Sequence, residues 1–437
     1  MMKRDTKIQV FLLCLVPFIM VLGNSMLIPV LPKIKKAVDI NQFQVGLIVT
    51  AFSVPAGIVI PLAGILSDQV GRRKVMAPAL IVYGAGGIMA GAASLIFDKP
   101  FWGIMAGRII QGIGAGGTYQ LAMAMAGDVF KTQERVLALG LLEASNGLGK
   151  VVSPILGAGF ALISWFFPFF AYGFLAIPAG FAIWFLVKEE SEFKKQPLEN
   201  YVNAVKEIFK NKASGLLASF FAGMVSLFSL FGISSLYSDI LEKDFGVLGI
   251  KKGLVMAGPV FVMATLSFAL GILLKRAKNK GIKIFVITGL IFIIAGQGLF
   301  LLLKGMWPKF ASLVLLGAGV GLVMTPVNTL VTGSCSTKRR GIITCLYGSL
   351  RFFGVAIGPP LYGLSETYGI LPTVAVMSIA PIISLVASIV FIKVNKIMGQ
   401  DDAQKASLAS AAESSFESKE SLPSESKKPL IFRRKLR

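Results

Sequence analysis

The chain has 437 residues, of which 55% are hydrophobic and 15% charged, and its mean hydropathy is +0.75. Soluble domains carry about 25% charged residues, so these figures exclude an ordinary soluble enzyme. Its 44 Lys and Arg against 22 Asp and Glu leave a net +22, which in a soluble chain would suggest nucleic acid and here must be read against a membrane.

A bilayer core takes about 20 apolar residues per helix. Twelve such stretches follow in chain order. The first six run over Ile8–Val30, Gln44–Leu66, Val75–Phe97, Phe101–Ala126, Val136–Ile163 and Trp165–Val187. The second six run over Ala213–Tyr237, Gly253–Leu274, Ile284–Leu303, Phe310–Val331, Gly341–Leu364 and Leu371–Val394. The first is too long for a cleaved signal peptide and lacks a small-residue cleavage site. With the N-terminus placed in the cytoplasm, 32 basic residues fall in cytoplasmic segments and 9 outside, among them Lys33, Lys35 and Lys36. This bias sets both termini in the cytoplasm.

The chain repeats at an offset of about 205 residues. Gly64-Ile65-Leu66 matches Gly271-Ile272-Leu273, and Gly112, Gly114 and Gly116 match Gly317, Gly319 and Gly321. Gly149 and Pro154 match Gly354 and Pro359. The predicted organisation is a six-helix bundle over 1–187, a cytoplasmic central loop over 188–212, a second six-helix bundle over 213–395, and a disordered basic tail over 396–437. A duplicated six-span unit holding substrate between its halves is a secondary-transporter layout. In the central loop, Leu198, Tyr201, Val202, Val205, Ile208 and Phe209 fall near one helical face. That segment reads either as an interfacial amphipathic helix or as a solvated linker. The tail, ending in Lys427, Lys428, Arg433, Arg434, Lys435 and Arg437, reads as an anionic-lipid anchor or as a solubilising and topogenic segment.

Histidine is absent, and Cys14, Cys335 and Cys345 lack metal-ligand spacing and read as small buried hydrophobes. No phosphate-binding GxxxxGK[ST] loop and no nucleophile–base set is present. The expectation is therefore neither an enzyme nor an ATP-driven pump, with no metal and no cofactor beyond a proton gradient. The expected partners are a small amphiphilic substrate and the bilayer, with no nucleic acid, and the expected state is a monomer.

Several segments resemble the major facilitator superfamily. Gly64-Ile-Leu66-Ser67-Asp68-Gln69-Val70-Gly71-Arg72-Arg73-Lys74 is similar to its loop signature G-x-L-a-D-r-x-G-r-k, departing at Gln69. Arg108-Ile-Ile-Gln111-Gly112-Ile-Gly114-Ala115 resembles R-x-x-Q-G-x-G-a, and Asp128 with Glu134-Arg135 is family-like. Gly149-Lys150-Val-Val-Ser153-Pro154-Ile-Leu-Gly157-Ala158 resembles the antiporter motif G-x-x-x-G-P-x-x-G-G, with Ser153 and Ala158 replacing two glycines. The resemblance implies an all-α integral membrane fold of twelve helices in two pseudo-symmetric bundles, in a bacterial plasma membrane. It also implies a drug:proton antiporter with Arg108 and Gln111 tuning the coupling site. Gly64, Asp68, Gly71, Arg72, Arg73, Asp128 and Arg135 are read as a conformational latch, in which Asp68 accepts from helix N-termini and Arg residues in one state only. Gly149, Pro154 and Gly157 make the fifth span thin and bendable.

Four charges fall deep in spans: Arg108, Glu143, Lys150 and Arg351. A charge at mid-bilayer is costly unless paired or hydrated and so points to function. Glu143 and Lys150 stand about two turns apart on one face, with Asn146 between them and Arg351 aligned with Asn146 across the repeat. Glu143 is the candidate proton-coupling carboxylate, with Arg108 and Lys150 beside it; the other reading is a fixed ion pair to Lys150 or Arg351. Asn24, Gln111, Asn146 and Arg351 are candidate cavity residues. The four charges sum to +2, which favours an anionic substrate. Three functions follow: a proton-coupled exporter of hydrophobic or amphiphilic molecules, an exporter or flippase of an anionic metabolite or lipid-linked substrate, or a non-transporting receptor or scaffold.

Overall fold

In a bilayer, backbone polar groups of an apolar stretch are satisfied within the segment only by a helix. The computed structural model is helical accordingly, with no strand among the described residues. It describes residues 4–130, 132–189, 198–210, 212–276, 281–335 and 340–399. In the first half, α1 (Arg4–Ser25) and a 3₁₀ turn (Ile28–Val30) lead into α2 (Leu31–Val38). Then come α3 (Gln42–Val70), α4 (Arg72–Ile96), α5 (Phe101–Gly116), α6 (Tyr119–Val129), α7 (Thr132–Ile163) and α8 (Phe167–Leu186). After α9 (Leu198–Lys210), the second half has α10 (Ala213–Lys243), α11 (Gly249–Arg276), α12 (Ile282–Leu302), α13 (Met306–Gly333) and α14 (Arg340–Gly363). It ends with α15 (Ser365–Tyr368), α16 (Ile370–Met377), α17 (Ile379–Phe391) and α18 (Val394–Met398).

Eleven of these helical stretches are long and apolar enough to cross a membrane. The fourth expected span is divided: α5 stops at Gly116 and α6 starts at Tyr119. Gly112, Gly114, Gly116 and Gly117 weaken the helix there, and the Thr118 hydroxyl donates to the Ala115 carbonyl at 2.6 Å. The outer loop expected around Lys33–Lys36 is helical, as α2. The central segment is helical as α9 and packs one face on the protein. Tyr201 and Ile208 are buried, and the Phe209 ring lies 6.1 Å from Phe220 of α10. The basic tail beyond residue 399 and residues 190–197 of the central loop lie outside the described residues, as do Lys131, Lys338 and Arg339.

The internal repeat is visible as packing. Gly112 of α5 sits against the backbone of Phe52 in α3, and Gly317 of α13 sits against Pro259 in α11. Gly149 of α7 faces Phe18 of α1, and Gly354 of α14 faces Met224 of α10. Contacting residues therefore repeat with the same offset as the motifs. The two halves meet along α3 and α14 and along α7 and α11. The α3–α14 contact runs their full length, from Gly46 against Pro359 and Pro360, through the Thr50 hydroxyl donating to the Ala356 carbonyl at 2.6 Å, to Gly64 beside Cys345. The α7–α11 contact is made at one end, where Gly253 packs against Pro154 and Ala158, and Gly249 against Leu162. Toward the other end both helices line a cavity.

Candidate functional site: the central cavity

That cavity is about 2260 Å³ and lies between the halves. Its mouth is on the side of the Gly71 turn between α3 and α4, the side the basic residues mark. Small-ligand pockets span about 300–1,000 Å³, so it has room for a large amphiphile together with water. Its wall is mixed: Phe52, Phe261, Phe268, Phe352 and Met324 are interspersed with Asn146, Ser234, Thr325, Asn328 and Thr329.

Glu143, Asn146 and Lys150 all line the cavity from α7, as their spacing predicts, and Arg351 faces it from α14. The Tyr119 hydroxyl of α6 donates to Glu143 Oε1 at 2.7 Å. Glu143 has neither Lys150 nor Arg351 as an ion-pair partner, so the fixed-pair reading finds no support in the geometry. Lys150 is nonetheless within electrostatic reach of Glu143 and Arg351. The Arg351 guanidinium lies 5.5 Å from the centre of the Tyr347 ring, and its buried Nε has no hydrogen-bond partner among the described residues. Tyr119 was missed by sequence reasoning; its place just after the glycine break on α6 was the available signal.

Arg108 and Gln111 lie elsewhere than expected. Both are fully buried inside the first bundle, absent from the cavity wall and out of contact with Glu143. Arg108 donates to the carbonyls of Gly23 at 2.9 Å and Ile48 at 3.2 Å. It also donates to Gln111 Oε1 at 2.6 Å and Asn24 Oδ1 at 2.5 Å, and it lies over Phe52 at 4.4 Å. Four oxygens and an aromatic face thus solvate the cation and tie α1, α3 and α5 together. Asn24, which reaches the cavity wall, donates in turn to Ser53 Oγ at 2.7 Å. With Arg108 removed from the set, the deep cavity holds one acid and two bases, a formal +1 rather than +2.

At the mouth, Arg72 Nη1 pairs with Asp68 Oδ1 at 2.7 Å and Arg72 Nε with Asp128 Oδ2 at 3.2 Å. Gly71 has φ 114°, a conformation that side-chain-bearing residues rarely adopt, and it lets the chain turn directly from α3 into α4. The first amides of α4, Arg72 N and Arg73 N, donate to the Glu189 carboxylate at 2.7 and 3.0 Å, a helix cap that the sequence did not reveal. Arg73 also donates to the Val187 carbonyl at 2.9 Å. The Tyr201 hydroxyl of α9 donates to Asp68 Oδ2 at 3.1 Å; burial first, and the Asp68 charge second, push this phenol up to about 12. Arg135 lies beside Gly127 at the mouth, and Gly64 faces Cys345, so a Cβ there would stand 3.1 Å from its sulfur. Gly149 packs on Phe18 of α1 and Gly157 on Met26 in the turn just after it, and Pro154 lies within an α7 that continues from Thr132 to Ile163.

The opposite end is closed by ion pairs between the halves. Lys35 of α2 pairs with Glu366 of α15, whose other oxygen accepts from Gln42 N at 2.7 Å. Lys36 pairs with Glu242 of α10 at 3.1 Å, and the same carboxylate holds buried Lys252 at 3.0 Å. The Ser238 hydroxyl donates to the Ile28 carbonyl at 2.9 Å.

Two pseudo-repeated helical bundles around one cavity, open at one end and pinned at the other, define a membrane transporter. The chain belongs to the Major Facilitator Superfamily, whose sequence pattern matches residues 13–359. It is 38% identical to the bacillibactin exporter of Bacillus subtilis (strain 168) over 351 residues, 79% of this chain and 87% of that one. It is 27% identical to the multidrug efflux protein YfmO of the same strain, over 81% of this chain and 85% of that one. Among solved structures, it resembles a bacterial homologue of the human lysosomal transporter Spinster in an inward-facing, unoccupied conformation. That likeness has a TM-score of 0.71 at 17% identity and covers 90% of this chain and 99% of the other. Family membership makes the chain a transporter and not an enzyme.

Proposed function

We propose that the protein is an exporter of an amphiphilic small molecule, energised by the proton-motive force across a bacterial plasma membrane, with the Asp68–Arg72 end in the cytoplasm. The 32-to-9 distribution of basic residues supports that orientation, and relatives with export and efflux functions support the direction. On this orientation the structure is the cytoplasm-facing state. Its mixed apolar and hydrogen-bonding wall suits a ligand that has both characters.

Glu143 is the coupling carboxylate in this reading. The observation that carries it is the position of Glu143: in the cavity wall, held by a neutral phenol rather than by a cation. A carboxylate engaged in this way is free to take and lose a proton as the cavity changes the side it faces. Asp68, Arg72 and Asp128 act as the latch at the cytoplasmic mouth. In the present state they pair among themselves and with α9.

The test is transport in everted vesicles under imposed pH gradients. Wild-type transport is expected to respond to the gradient, and Glu143→Gln to lose that response. A Glu143→Gln protein that keeps the full response removes Glu143 from the mechanism.

A further inference from the structure

Lys150 and Arg351 share one unusual situation. Each is a cation facing the cavity, each comes from a different half of the molecule, and neither has an acid within ion-pair distance among the described residues. Arg351 has in addition a buried Nε with no acceptor among the described residues. Most deep cations elsewhere in the protein are compensated: Arg108 by four oxygens and Lys252 by Glu242. A buried donor left without a partner is a cost that a ligand oxygen can remove.

We propose that Lys150 and Arg351 form an anion seat, and that the transported amphiphile carries a carboxylate, sulfonate, phosphate or comparably acidic oxygen group bound between them. This rests on the transporter reading above and names its substrate class. A planar guanidinium and an ammonium facing one space suit an oxyanion with more than one acceptor. Asn146, buried between the turns that carry Glu143 and Lys150, adds an amide at the same wall.

The seat also bears on the conformational cycle. In the empty cavity the two like charges oppose closure of α7 against α14. An anion between them reverses that sign and draws the halves together around the ligand, so the loaded form is the one that closes. Tyr119, Lys150 and Arg351 are the titratable and charged groups facing Glu143. An inside-negative membrane potential drives a bound anion outward.

The test uses the full-length protein in phosphatidylcholine liposomes and three probes with one ring system: naphthalene-1,5-disulfonate, the neutral 1,5-diol and the 1,5-bis(trimethylammonium) dication. Binding and flux are measured separately. The disulfonate is expected to bind at least about tenfold more tightly than either analogue. Lys150→Gln and Arg351→Gln should each weaken it about ten- to a hundredfold while leaving diol binding and melting temperature near wild type, and Arg351→Lys should restore part of the loss.

Equal or tighter binding of the dication overturns the proposal. So do glutamine variants that keep full disulfonate affinity. Disulfonate binding without flux of any probe overturns the transport reading and leaves the seat standing. A parallel arm follows fluorescent phosphatidylglycerol. Its translocation, with loss in the same variants, identifies a lipid headgroup as the anion; disulfonate flux without it identifies a free solute.

Discussion

Lys36 Nζ and Glu242 Oε1 are 3.1 Å apart and join the first half of the chain to the second at the closed end of the cavity. The two partners differ sharply: the Lys36 side chain is 65% exposed and that of Glu242 only 5%. Exposed pairs contribute about 0–1 kcal/mol, so Lys36→Gln should alter closure mildly. Glu242 also holds Lys252, whose side chain is 2% exposed. Removing the acid leaves that lysine buried and unpaired, at about 3–5 kcal/mol. Glu242→Gln is therefore expected to lower the melting temperature clearly more than Lys36→Gln. Glu242→Gln with Lys252→Met should recover most of the difference. Thermal unfolding of the four proteins checks this, and equal melting temperatures for the two single variants would contradict it.

Arg108 predicts a different kind of failure. Its guanidinium is fully buried and serves four acceptors on α1, α3 and α5. Arg108→Met strands those acceptors and should destabilise the protein by about 3–5 kcal/mol. Arg108→Lys keeps the charge but not the planar fork and should fall between. Because Arg108 does not touch Glu143, protein that survives purification should keep the wild-type pH-gradient response. Loss of that response at unchanged stability would place Arg108 in the coupling machinery after all.

The same residue shows where the sequence was informative and where it was not. Span positions, the two halves and the α7 face bearing Glu143, Asn146 and Lys150 follow from hydropathy and helical period, which are local properties. Whether a deep cation faces a cavity or a neighbouring helix depends on packing between segments far apart in the chain. By sequence Arg108 is therefore equivalent to Lys150, and its carbonyl partners at Gly23 and Ile48 are what set it apart. The closed end has the same origin. Lys35 and Lys36 stand out as exceptions to the charge bias, but their meaning depends on Glu366 and Glu242, more than 200 residues away. Tyr119 became visible only once the glycine break between α5 and α6 had turned it toward Glu143.

Tyr201 gives a pH prediction with a defined sign. Its phenol donates to Asp68, and its pKa of about 12 exceeds the ordinary value of about 10. The neutral, donating form is therefore the one the folded state favours. The stability it contributes is fully present below about pH 10 and is lost as pH rises through about 12. The melting-temperature difference between wild type and Tyr201→Phe should be constant from pH 6 to about 10, reflecting a bond of about 1 kcal/mol, and should shrink above that. A difference that instead changes between pH 5 and 8 would assign the link to a group other than this phenol.

Two glycines of α7 should behave oppositely when each is replaced by alanine. A Cβ on Gly157 would overlap the carbonyl oxygen of Met26, in the turn just after α1, a backbone atom that moves only if that segment separates from α7. A Cβ on Gly147 meets nothing within 4 Å. Overpacking of this kind costs about 1–3 kcal/mol, whereas alanine in an open helical position gains up to about 1 kcal/mol over glycine. Gly157→Ala should therefore lower the melting temperature, and Gly147→Ala should leave it unchanged or raise it. The contrast also separates two roles for the α7 glycines. If they serve close approach of neighbouring segments to α7, only Gly157→Ala is damaging. If they serve bending of α7 itself, both substitutions stiffen the same helix, and both should slow transport at unchanged stability.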